Sequence, residues 1–328
     1  MATLVTGAAG FIGYHLSERL LARGEAVIGL DVLSDYYDVG LKQARLERLM
    51  GHPGFRFAKL DLADRPAMAA FARTHRDITR VAHLAGQAGV RYSLEQPRTY
   101  ADANLVGFLE ILELARGLDH LEHLVYASSS SVYGGNTKLP FAVEDRVDAP
   151  LSLYAATKKA NELMAHSYGH LFRLPATGLR FFTVYGPWGR PDMSAFIFTK
   201  AILAGQPIPV FNNGAMKRDF TYVDDIVSGV VACLDRPPAN TAGAVPHRVY
   251  NIGNHRSEDL LRFIRVIEQA CGKTAIIDLK PMQAGDVPET FADIEATTRD
   301  FGFVPTTAID EGIPRFVEWY RDYYRSDR

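Results

Sequence analysis

Short apolar runs alternate with stretches of helical period through the first half of the chain. TLVTG (3–7), AVIGLD (26–31), FRFAKLD (55–61), RVAHLAG (80–86) and HLVYASS (123–129) have strand length and are apolar nearly throughout. That pattern marks strands covered on both faces, hence a parallel sheet. Helical spacing covers Phe11 to about Arg23, residues near 66 to 76, and one long helix near 96 to 116. Then come a helix over 154–172, a strand over 175–182 and a helix over 195–206. The alternation predicts a doubly wound α/β fold of Rossmann type. Beyond residue 206 the pattern loosens into Pro-, Gly- and Asn-rich pieces such as GQPIPVFNNG and DRPPANTAGAVPH. A smaller, less regular C-terminal region that binds substrate is expected there. The predicted division is 1–180 for a dinucleotide-binding domain, with returning segments from about 215–255, and 181–328 mainly for substrate.

Composition narrows the class. The 328 residues are 47% apolar and 23% charged with net charge −2, a globular balance without a basic track for nucleic acid or membrane. Two cysteines rule out a disulfide framework, and no zinc spacing occurs, so no metal is expected and a cytoplasmic location fits. The chain opens directly on a strand and has no apolar run of membrane-spanning length.

GAAGFIG sets Gly7, Gly10 and Gly13 between the first strand and the first helix, with Phe11 and Ile12 at the helix mouth. Glycines at these places allow a tight turn and close approach of a pyrophosphate to the helix N-terminus. Asp31 ends the second strand, 18 residues after Gly13, where a carboxylate can accept from ribose hydroxyls and repel a 2′-phosphate. With no Arg or Lys at 32–34, NAD is favoured over NADP. Asp61 is an adenine contact or a simple loop acid; Leu62, Leu84 and Ala85 join it as cofactor-side candidates at strand ends. In YAATK, Tyr154 and Lys158 share one helix face. SSSSVYGG leaves a strand at its carboxyl end, where ligands sit in an open parallel sheet. A phenol titrating near 10 becomes a base at neutral pH when nearby cations stabilise it by roughly 3–4 kcal/mol, and a serine hydroxyl can relay the proton.

These segments, together with HLAGQAGVRYS, RFFTVYGP and RDFTYVDDI, run through almost the whole chain and resemble the extended short-chain dehydrogenase/reductase family, in particular its nucleotide-sugar epimerases and dehydratases. The resemblance implies a triad of Ser129, Tyr154 and Lys158. Dehydratases of this family carry acids just after the serine; Ser130 and Ser131 stand here, so epimerisation is expected. QAGVRYS (87–93), GGNTKLPF (134–141), TVYGPWGRPDM (183–193) and KRDFTYVDDI (217–226) are similar to the UDP-glucuronate 4-epimerases. That similarity implies a tightly bound NAD regenerated each cycle, C4 epimerisation of UDP-glucuronate to UDP-galacturonate through a 4-keto sugar, and a homodimer. Asn104 and Val184 match cofactor-side positions; Arg218 and Asp286 match positions near UDP, and Gln87 and Ser130 fall on the substrate side. Gly86 stands where alanine is usual, and Ala284 where proline usually precedes GDV.

Galactose-type 4-epimerases carry Asn where this chain has Thr183. A uronate pocket calls for a guanidinium with a small hydroxyl donor, and Arg190 with Thr183 fits, with Arg91 a second cation. Rejection of neutral hexoses of the order of ~10⁴-fold is expected from an unpaired desolvated arginine. A 4-keto uronate is a β-keto acid, so Arg190 and Thr183 are expected to hold its carboxylate out of the geometry for loss of carbon dioxide. Competing readings are a decarboxylase forming UDP-xylose or a 4-keto-pentose, a UDP-glucose/galactose 4-epimerase, and a non-catalytic NAD sensor.

Overall fold

The computed structural model describes residues 1–283 and 285–325, so Ala284 lies outside the described residues. Strands β1 (Ala2–Thr6), β2 (Val27–Asp31), β3 (Phe55–Lys59), β4 (Ile78–His83), β5 (His123–Ser129) and β6 (Ala176–Phe181) pair in parallel in the order β3-β2-β1-β4-β5-β6. A seventh parallel strand, His247–Ile252, adds beyond β6. This is the doubly wound order whose direction reverses between β1 and β4, and ligands bind at the carboxyl ends beside that reversal. β1 and β2 are buried at every position, which explains why they read as unbroken apolar runs.

Helices α1 (Phe11–Ala22), α2 (Val39–Met50) and α3 (Arg65–Thr74) precede two short turns, α4 (Tyr92–Glu95) and α5 (Pro97–Tyr100). α6 (Gly107–Arg116) and α7 (Leu153–Phe172) follow. α2 has no counterpart in the apolar pattern; Asp38 starts it by accepting from the Gly40 amide at 2.8 Å. Likewise Ser152 caps α7 by accepting from the Ala155 amide at 3.1 Å. The expected single helix near 96–116 is instead α5, a wide π-helical segment at Ala101–Val106, and α6. Asn104 in that segment uses its side chain on the Gln87 backbone while its carbonyl accepts from Asn161 Nδ2 at 2.7 Å, so the widened turn is held by bonds outside the helix.

The second half supplies β7 (Thr183–Tyr185), β8 (Pro207–Val210), β9 (Lys217–Tyr222), β10 (the His247–Ile252 strand), β11 (Ser257–Asp259) and β12 (Ile276–Leu279). Its helices are α8 (Ser194–Leu203), α9 (Val223–Leu234), α10 (Leu260–Cys271), α11 (Glu295–Phe301) and α12 (Ile309–Tyr324). β11-β9-β7 form one small sheet and β12-β8 another. Of the stretch 215–255, α9 packs on α1 and β5 and β10 extends the large sheet, whereas β9 belongs to the small one. One apolar cluster runs from α1 through Phe182 and Tyr185 to α10 and α12, so the two halves share a core beneath the cleft.

Candidate functional site

A cleft of about 920 Å³ opens at the carboxyl ends of the parallel strands and continues between the halves. It lies at the upper end of the range for ligand pockets, ~300–1,000 Å³, as a two-part ligand requires. Every cofactor-side candidate named above except Asn104 lines it. Gly7 sits at φ +70°, and a Cβ there would meet the Ala85 amide nitrogen at 2.9 Å. A Cβ on Gly13 would lie 2.1 Å from the Gly7 carbonyl oxygen. Both positions therefore demand glycine, and Gly10 begins α1 with no side-chain cap, leaving the helix N-terminus open to an anion. The Asp31 carboxylate accepts from the Ala9 and Leu33 amides at 3.1 and 2.8 Å, which holds it at the rim. These features fit a dinucleotide. Lys42 of α2, outside the 32–34 window, also lines the cleft; its ammonium donates to the Ser34 carbonyl and hydroxyl at 2.6 and 2.9 Å. Burial pushes Lys42 down and Asp31 pulls it back up, so this charge is engaged locally.

Asn104 is buried behind the lining. Its Oδ1 accepts from the Gln87 amide at 2.8 Å, and its Nδ2 donates to the Gln87 carbonyl and to Thr157 Oγ1 at 3.0 and 3.1 Å. It thus sets the loop that carries Gln87 rather than touching the cleft. A Cβ at residue 86 would come 2.8 Å from Asn104 Oδ1, so glycine suits that loop here.

β5 and α7 bring Ser129, Tyr154 and Lys158 to one wall. Ser129 Oγ accepts from the Ser131 amide at 3.2 Å, which leaves its proton free to donate. Burial raises the Tyr154 phenol, while the Ser129 hydroxyl and the positive charge of Arg190 draw it back down. Lys158 donates to the Ala127 carbonyl at 2.9 Å, and burial pushes its ammonium down to about 8. One turn further along α7, Glu162 accepts from Ser128 Oγ at 2.7 Å and from Arg180 Nε and Nη2 at 2.8 and 2.9 Å. Arg180 and Glu162 are each 3% exposed, so a buried ion pair ties α7 to β6 and to the strand end that presents Ser129.

Thr183, Arg190, Gln87, Arg91, Ser130, Arg218 and Asp286 line the same cleft. Arg190 is not the open guanidinium expected. Its Nε and Nη2 grip Asp192 Oδ1 and Oδ2 at 3.0 and 2.5 Å, and Tyr36 donates to Asp192 Oδ2 at 3.1 Å. The expected rejection of neutral sugars assumed an arginine left unpaired, and Asp192 removes that condition. Arg218 and Asp286 also pair, at 2.6 Å, and Arg91 lies 5.0 Å from the Phe211 ring centroid. The loop bearing Arg190 is staked from the dinucleotide half. Fully buried Arg45 of α2 donates to the carbonyls of Ala9 and Trp188 at 2.9 and 2.5 Å, and His15 Nε2 meets the Pro187 carbonyl at 2.9 Å. Trp188 takes a left-handed backbone, φ +61°. Tyr36, Lys42, Arg45 and Asp192 are residues the motifs did not point to. The Arg-Pro-Asp order in the loop was the available signal for Asp192.

Residues 3–253 match the model of the NAD dependent epimerase/dehydratase family. The chain is 56% identical over 337 residues to an uncharacterised 37.6 kDa protein of Escherichia coli O111:H-, covering 99% of this chain and 100% of that one. It is 47% identical to a probable UDP-glucuronate 4-epimerase of Rhizobium meliloti (strain 1021), over 99% of this chain and 98% of that protein. The crystal structure of UDP-glucuronic acid 4-epimerase from Bacillus cereus, in complex with UDP-glucuronic acid and NAD, superposes with a TM-score of 0.90 at 32% identity, covering 99% of this chain and 100% of that one. With a glycine turn, a Ser-Tyr-Lys wall and these likenesses along its length, the chain belongs to the NAD dependent epimerase/dehydratase family.

Proposed function

We propose that this protein is a UDP-glucuronate 4-epimerase, an isomerase that interconverts UDP-glucuronate and UDP-galacturonate. The observation that carries the reading is the meeting, in one cleft beside the glycine turn, of Tyr154, Ser129 and the Thr183–Arg190 end. NAD, when bound, supplies the hydride acceptor and donor at the sugar C4 and is regenerated each cycle. Gly7, Gly10, Gly13 and Asp31 would hold it, with Lys158 and Val184 at its reacting end. Tyr154 takes the 4-hydroxyl proton with Ser129 as relay, and gives it back after the 4-keto sugar has turned its other face. Lys158 and Arg190 supply positive charge that favours the phenolate. Ser130 and Ser131 cannot act as the acid that expels water, which separates this chain from the dehydratases of its family.

Thr183 with Arg190 or Arg91 receives the carboxylate, and Arg218 and Asp286 lie toward UDP. Residues 1–180 with α9 and β10 carry the cofactor, and 181–328 mainly the nucleotide sugar. The protein works in the cytoplasm as a homodimer formed through α6 and α7, with Leu163 and Leu171 of α7 60% and 65% exposed. Both cysteines are free and buried, and among the described residues no helix is long and apolar enough to cross a membrane.

Incubating the purified protein with UDP-glucuronate and no added NAD tests the reading. UDP-galacturonate is the expected product. UDP-pentoses with carbon dioxide would make it a decarboxylase, turnover of UDP-glucose in preference would make it a hexose epimerase, and NAD retention without turnover would make it a sensor.

A further inference from the structure

Asp192 has no part in the chemistry, yet its carboxylate occupies the guanidinium offered to the substrate. The pairing is two-pronged, and both side chains border the cleft with exposures of 22% for Arg190 and 29% for Asp192. Two-pronged Arg–carboxylate contact is the geometry that a uronate would itself adopt. Asp192 therefore imitates the ligand group. Tyr36, from the segment between β2 and α2, reaches across the mouth to donate to Asp192 Oδ2, the same oxygen that Arg190 Nη2 holds. Tyr36 is itself fixed among aromatic rings, 4.7 Å from Tyr92 and 6.1 Å from Tyr37.

We propose that Asp192 is a specificity-determining residue: an internal counter-ion for Arg190 that a uronate carboxylate displaces and a neutral hexose does not, with Tyr36 as the partner that receives it when displaced. This rests on the reading of the cleft as a UDP-uronate site. Exchange of one carboxylate for another preserves the charge balance around Arg190. Asp192 keeps the Tyr36 hydroxyl and is 29% exposed at the cleft, so leaving Arg190 does not strand it as a buried, unpartnered anion. A neutral sugar offers Arg190 a weaker, uncharged acceptor, so the Arg190–Asp192 pair stays closed against it. The pair softens selectivity in one respect, because the empty or hexose-filled site never holds an unpaired arginine.

The two residues have opposite signs of effect, and the test uses this. With the NAD-loaded protein, calorimetric Kd and steady-state KM are measured for UDP-glucuronate and UDP-glucose in wild type, Asp192→Asn and Tyr36→Phe. Asp192→Asn removes the competitor and should tighten UDP-glucuronate roughly tenfold, the scale of one charge-assisted hydrogen bond. UDP-glucose should weaken in the same variant, since Arg190 now goes unpaired beside it. Tyr36→Phe removes the landing partner and should weaken UDP-glucuronate severalfold while leaving UDP-glucose unchanged. Asp192→Glu should restore wild-type discrimination in part. Weaker UDP-glucuronate binding in both Asp192→Asn and Tyr36→Phe would mean that Asp192 merely props the loop, and would overturn the proposal. Unchanged binding in both would overturn it as well. If wild type binds UDP-glucuronate but yields no UDP-galacturonate, the assigned reaction fails while these binding signs still decide the role of Asp192.

Discussion

In the proposed reaction Tyr154 is the base, which calls for cations near its phenol, and Lys158 of α7 and Arg190 of the loop after β7 line the same cleft. Burial opposes the phenolate, and the Ser129 hydroxyl and the positive charge of Arg190 act against burial. Replacing Arg190 by Met removes a cation, so the phenol must rise and the acid limb of the kcat profile should move to higher pH. At the other end, Lys158 pushed down to about 8 loses its charge as pH climbs through that value, so the rate should fall there. Initial rates from pH 6 to 10 check both limbs; an acid limb unmoved in Arg190→Met would remove Arg190 from the proton chemistry. Tyr154→Phe should cost about 10²–10⁴-fold in kcat at every pH, the usual worth of a positioned acid–base group. That Ser129, Tyr154 and Lys158 meet in one cleft was readable because each sits in a contiguous motif, YAATK or SSSSVYG. Asp192 and Tyr36 were not, since their meaning comes from a bond across 156 positions of the chain.

At the scale of elements, the spacing of wall from wall depends on the Arg180–Glu162 pair. It fastens α7 to β6 and, through Ser128, to the end of β5, so it sets how far Tyr154 stands from Ser129. Removing one partner leaves a charge buried alone, and Arg180→Met should destabilise the fold by about 3–5 kcal/mol. Arg180→Met combined with Glu162→Gln should cost clearly less than the sum of the single changes, which urea unfolding of the four proteins measures. Equal and additive losses would show that the two do not act as a pair. The same scale explains the misread helix at 96–116. Helical period persists through its apolar positions, but Asn104 spends its hydrogen bonds on Gln87 and Thr157, and nothing local in ADANLV reveals those partners. α2 was missed for a related reason: Arg and Lys fill positions that a helix on a core normally gives to apolar residues, and Lys42 and Arg45 are buried there with their charges on backbone carbonyls. β1, β2, β4 and β5, by contrast, are buried nearly throughout, so their apolar runs sufficed to reveal a parallel sheet, while β3 at its edge exposes Arg56 and Lys59 and the strand order came only with the structure.

Across the whole molecule, buried imidazoles set the response to acid. Burial holds His83 neutral with a value of about 3, and His123 and His247 at about 4. Unfolded, each titrates near 6.5, so the unfolded chain binds more protons and stability is lost as pH falls below that value. Asp219 works the other way: burial raises its carboxyl to about 6, the folded form holds the extra proton, and stability from it declines as pH rises from about 4 to 6. Burial holds His15 below its ordinary value too, so the imidazoles outweigh the one carboxyl by at least about two protons taken up on unfolding, and stability should drop by about 3 kcal/mol or more between pH 6 and 5. Urea titrations at the two pH values test this, and Asp219→Asn should steepen the drop; a flat response would show that the imidazoles are charged in the fold.

Arg45 carries a consequence for engineering. Its guanidinium reads carbonyls on both sides at once, Ala9 in the glycine turn and Trp188 and Gly189 in the bend, so the loop proposed to select the sugar is half of a lock whose key grows from α2. Transplanting residues 183–193 into a hexose-specific relative would carry the lock without the key. The graft would hold its shape, and pass on its preference for an acid, when the host receives the arginine of α2 as well.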